Sequence, residues 1–99
     1  MVIMGITSYP TESATEIGKR FLEAPPLPDY LTRRGPYVRN VIGEGIQGFS
    51  IFELDRSRMA EAVESISNFY VKFIGVPGFT FSVNVCLEPQ EALKMIGLG

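Results

Sequence analysis

The sequence predicts a single α+β domain, and three observations predict it. Apolar and polar residues alternate strictly from Phe79 to Leu87, the period of a half-buried strand. Met59, Val63, Ile66, Tyr70 and Phe73 recur at three- and four-residue steps, the period of a helix with one buried stripe. The chain has 99 residues, 45% of them apolar, which suffices for one packed core and leaves no room for a second domain, so residues 1–99 are read as one unit.

Each element follows in order. Val2–Tyr9 reads as a strand, with Val2, Met4 and Ile6 on one face and Ile3 and Tyr9 on the other; apolar residues on both faces suit a central strand. Pro10 ends it. Ser13 and Glu16 have capping-box spacing for a helix running to about Glu23, whose buried stripe would be Ala14, Ile17, Phe21 and Leu22. Pro25, Pro26 and Pro28 stop that helix and make a stiff connection. Tyr37–Ile42 and Phe49–Leu54 read as two strands of a hairpin joined through Gly43–Gly48. Asp55 is the expected N-cap of the long helix, which Gly75 and Pro77 end. After the alternating strand, Pro89 suits the first turn of a short helix reaching about Ile96, closed by Gly97.

Strand, helix, strand, strand, helix, strand is the order of the ferredoxin-like split βαβ arrangement. The expectation is a four-stranded antiparallel sheet with two helices on one face, plus a short C-terminal helix. The other sheet face would then lie bare, and its apolar content favours a second copy covering it, that is, a homodimer.

Element order, length and the stretch Ile74-Gly75-Val76-Pro77-Gly78-Phe79 resemble the dimeric α+β barrel superfamily, in particular its small stand-alone members. The resemblance implies two ferredoxin-like subunits packed sheet against sheet. It also brings a range of activities: cofactor-independent monooxygenases, lactone isomerases, haem-degrading enzymes, chlorite dismutase-like haem proteins and effector-binding domains. The haem-using branches rely on a histidine, and this chain has none.

The missing histidine excludes more than that. Axial haem ligation, most catalytic zinc sites and Ser-His or Cys-His nucleophile pairs all need an imidazole. No acidic run has calcium-loop spacing. No cofactor and no metal are therefore expected. The net charge of −2, from 9 basic and 11 acidic residues, gives no broad attraction for nucleic acid or an anionic membrane. Cys86 is the single cysteine, read as a small buried hydrophobe, and a reducing cytoplasm is the expected location. Met1–Ile6 is apolar but too short for a membrane span or a signal core.

Gly43, Gly45 and Gly48 have G-x-G-x-x-G spacing, but Gly48 runs into the strand pattern Phe49-Ser50-Ile51-Phe52 instead of a helix, so a hairpin role is expected. Arg33, Arg34 and Arg39 lie near Tyr30 and Tyr37, either as a clamp for a carboxylate or phosphate or as a solvated loop. Thr80, Ser82, Asn84 and Cys86 form a polar row that faces a partner, a cavity or solvent. Phe69, Tyr70 and Phe73 read as helix core. The candidate catalytic residues are Tyr37 as proton donor, Asn84 as donor to a developing oxyanion and Glu53 as a general base if burial raises its pKa. Tyr9, Arg39 and Ser82 are the candidate ligand-binding residues. The expected function is a homodimer binding a small organic molecule in an apolar pocket. The alternatives are a cofactor-independent monooxygenase or lactone isomerase, and an effector-binding module acting with a separate chain.

Overall fold

A computed structural model describes all residues, Met1–Gly99. Its elements are β1 (Val2–Tyr9), α1 (Ala14–Glu23), β2 (Thr32–Val41), β3 (Gly45–Glu53), α2 (Met59–Val71), β4 (Thr80–Cys86) and α3 (Pro89–Met95). Single 3₁₀ turns, Thr11–Ser13 and Arg56–Arg58, lead into α1 and α2. The four strands form one antiparallel sheet in the order β2-β3-β1-β4, the ferredoxin-like order, with β1 and β3 central. No helix is long and apolar enough to cross a membrane.

Packing follows the two periodicities. Ile3 and Phe52, opposite each other on β1 and β3, meet Ala62, Ile66 and Tyr70 of α2, and Leu31 closes one side of this cluster. A second cluster joins Ile17 of α1 to Phe73 and Val76 beyond the end of α2. Phe79, Phe81 and Val83 pack against these clusters, so the aromatic face of β4 looks toward the helices and its polar row looks away, the facing that alternation favours.

Some local expectations change. Asp55 caps as expected, its Oδ1 accepting from the Ser57 backbone N–H at 3.1 Å. Ser13 does not cap α1; its hydroxyl is buried and donates to the Pro77 carbonyl at 2.6 Å, tying the start of α1 to the loop before β4. Leu22 is 84% exposed and lies off the buried stripe, because Ile17 and Phe21 already set the face that meets α2. Cys86 is half-buried on the sheet face away from the helices.

The hairpin also departs from its expected bounds. Its turn is only Ile42–Glu44, and the pairing of β2 with β3 runs back to Thr32 opposite Glu53. The register shifts between Arg34 and Tyr37, because three steps along β2 oppose two along β3. Gly35 sits there at φ 97° and Pro36 has no N–H to give to the ladder, the residue pair that a bulge tolerates. The extra residue reverses the alternation. Arg33, opposite Phe52, and Val38, opposite Gly48, thus share the helix side, while Arg34, Tyr37 and Arg39 share the other.

Candidate functional site

The sheet divides the candidate residues between its two faces. On the face away from the helices, the cross-strand rows read Arg34–Ile51–Met4–Asn84 and Tyr37–Phe49–Ile6–Ser82. Met4, Ile6, Phe49 and Ile51 make an apolar centre, partly buried by one another. Tyr37 and Arg39 stand on one edge strand, Ser82 and Asn84 on the other. Three strand spacings separate those edges, about 14 Å, so one small molecule on a single chain does not touch both sets.

Of the candidate side chains on this face, all but the exposed Tyr37 are already engaged. Arg34 pairs with Glu53 at 2.9 Å, and both are about half exposed. Glu53 stands at the strand end and reaches water, so it is not the buried carboxylate that the general-base expectation requires. Arg39 donates to the Gln47 side-chain oxygen at 2.8 and 3.1 Å. Asn84 donates through Nδ2 to the Met4 carbonyl and to Ser82 Oγ, each at 3.0 Å. Tyr30 leaves the arginine cluster altogether and lies under the Arg58 guanidinium of the 3₁₀ turn before α2, which is 3.6 Å from the Tyr30 ring centre.

The helix side holds a cavity of about 220 Å³ where the two core clusters meet. Ala14, Gly18 and Phe21, one stripe of α1, form one wall, and Phe69, Tyr70 and Phe73 of α2 form another. Its floor is the sheet, where Gly48 and Ser50 are buried and Thr7 and Tyr9 reach in from β1. Arg33, Pro36 and Val38 of β2 and Gly18 of α1 are exposed and make its solvent side. Tyr9 is the one candidate ligand residue that lines it.

Two glycines open this space. A side chain at Gly48 would come within 2.6 Å of Thr7 Oγ1, and one at Gly5 within 2.9 Å of three atoms of the Tyr70 ring and hydroxyl. The hydroxyl end of Tyr70 therefore seats over Gly5 at the centre of the sheet, with its ring 5.4 Å from that of Phe81 and 5.5 Å from that of Phe69. Burial raises the pKa of Tyr70 above the ordinary phenol value, with a Ser50 hydrogen bond and the Arg33 charge opposing. Burial raises that of Tyr9 as well. Both hydroxyls are therefore protonated at neutral pH and can donate to a bound oxygen.

Arg33, Gly48, Ser50 and Tyr70 thus belong to the cavity; none is among the candidate catalytic or ligand-binding residues, although Arg33 is one of the three arginines weighed as a clamp or a solvated loop. The signal in the sequence was Gly5 inside the β1 pattern, which marks close approach by another group; Gly48 reads as part of the hairpin connection. Tyr70 and Phe73 are core residues, as their spacing implies, and the same side chains wall the cavity. No family model, curated protein or solved structure matches the chain.

Proposed function

We propose that the protein is a homodimer in which each subunit binds one small organic molecule in the cavity between α1, α2 and the sheet. The observation that carries this reading is a half-open, largely apolar cavity lined by six aromatic side chains, with the hydroxyl-bearing Thr7, Tyr9, Ser50 and Tyr70 among its lining residues. Apolar walls with a few convergent polar groups are the usual composition of a small-molecule site. A dry cavity of about 150 Å³ is known to admit benzene; at about 220 Å³ this one has room for one or two rings.

Gly18 supplies the test. A Cβ built there meets nothing within 4 Å, and Gly18 shares the cavity stripe with Ala14 and Phe21. Gly18→Leu should fill the space without a backbone clash and gain roughly 0.5–1 kcal/mol of helix propensity. In a thermal-shift screen of metabolites, a ligand that raises the melting temperature of the parent protein is expected to lose that effect in Gly18→Leu, whose own melting temperature should not fall. A shift that survives Gly18→Leu would move the site elsewhere, and a screen without any hit would argue against ligand binding.

The apolar centre of the other face supports the dimer. A contiguous apolar patch rimmed by polar side chains is the mark of an interface, and a two-fold axis through it would set Met4, Ile6, Phe49 and Ile51 against the same residues of a second copy. Ile6→Glu puts a carboxylate at the middle of that patch and touches no core residue on the helix side. Sedimentation velocity is expected to show the parent as a dimer and Ile6→Glu as a folded monomer. A parent that sediments as a monomer would overturn this half of the proposal.

A further inference from the structure

The chain has six arginines, and five of them are engaged. Arg20, Arg34, Arg56 and Arg58 each pair with a carboxylate. Arg39 bonds to Gln47. Arg33 takes part in none of the ion pairs or side-chain hydrogen bonds, and it lines the cavity. Its guanidinium is held 5.2 Å from the Phe21 ring centre and 5.6 Å from that of Phe69. Contact with ring faces fixes the plane of the guanidinium and leaves its N–H edge for a partner.

The surroundings narrow the class of that partner. None of the 15 cavity residues is Asp, Glu or Lys, so Arg33 is the single charge of the lining. One planar fork matches one carboxylate in two-point contact, whereas a phosphate dianion would call for further cations or a run of backbone N–H groups. Beside Arg33 the walls are phenyl rings: Phe69 and Phe73 stack at 5.4 Å, and Phe73 and Phe79 at 5.5 Å. Flat rings with positive edges and negative faces favour a flat aromatic guest.

We propose that the cavity takes an aromatic monocarboxylate, with its ring system among Phe21, Phe69, Phe73 and Phe79 and its carboxylate on Arg33. This rests on the cavity being a ligand site.

Calorimetric titration with three probes of one shape tests it: 2-naphthoate, neutral 2-naphthol and cationic 2-naphthylmethylammonium. The parent protein is expected to bind the naphthoate about tenfold or more tighter than the naphthol, the scale of a charge-assisted bond at a partly exposed site, and the ammonium weakest. Arg33→Met should erase that preference while leaving naphthol affinity within about threefold, and Arg33→Lys should retain part of it. Equal binding of naphthoate and naphthol by the parent overturns the acid proposal and leaves the cavity as a site for neutral molecules. Binding of none of the three overturns both. Should Arg33→Met fail to fold, the ranking of the probes on the parent still decides.

Discussion

Phe52→Ala is expected to destabilise the protein by about 3–5 kcal/mol, the usual cost of deleting a buried aromatic ring. Phe52 is 2% exposed on the central strand β3, among the least accessible large side chains of the chain. It lies across from Ile3 on β1 and beneath Ala62 and Ile66 of α2, so its ring joins the sheet to the longer helix. The neighbours cannot close the gap, because Ile3 and Ile66 are themselves fully buried and held from both sides. Domains of this size carry only about 5–15 kcal/mol in all, so the loss takes at least about a fifth of the total. Urea unfolding at 25 °C measures it, and the melting temperature should fall by on the order of 20 °C. Leu22→Ala is the control: Leu22 is 84% exposed and should change stability by no more than about 0.5 kcal/mol. Near-equal effects of the two substitutions would mean that the core is not organised around β3 and α2.

The elements with strong periodicity were legible. β1 has the bounds read from its pattern, and β4 falls within one residue of them at each end, because β1 is an apolar run stopped by Pro10 and β4 carries uninterrupted alternation. The start of α2 was legible through Asp55. β2 was not: Thr32-Arg33-Arg34-Gly35-Pro36 carries charge, glycine and proline, all loop signals, and it becomes strand only because β3 supplies a ladder beside it. That pairing is long-range, and local sequence does not contain it. The same bulge decides the site. Counted by simple alternation, Arg33, Tyr37 and Arg39 would share a face; one extra residue sends Arg33 to the cavity and the other two to the opposite side. Tyr9 needed no such correction, since β1 has no bulge. For Gly48, Ser50 and Tyr70 the governing fact is what lies above the strand, a tertiary relation. Hydroxyl and glycine positions inside apolar strands were the visible trace of it.

Gly5→Ala is expected to cost about 1–3 kcal/mol, the range for forcing a methyl group into a filled core. Its Cβ would fall within 2.9 Å of the Tyr70 hydroxyl oxygen, Cζ and Cε2, closer than any real side chain tolerates. The strand cannot retreat, because β1 is bonded on both sides, Gly5 opposite Ser50 on β3 and Val83 on β4. Tyr70 must give instead. Phe81 stacks on it from one side and Phe69 lies on another, so the free direction is the cavity. The substitution should therefore shrink the cavity as well as destabilise the fold, and any ligand of the parent protein should bind Gly5→Ala more weakly. The nearest atom in the clash is the hydroxyl oxygen. Tyr70→Phe removes it, so the double variant Gly5→Ala/Tyr70→Phe should be more stable than the two separate losses add up to. A double-mutant cycle measured by urea unfolding reads that coupling directly. Strict additivity would mean that Gly5 is not there to seat the Tyr70 ring, and the account of how the cavity floor is built would fail with it.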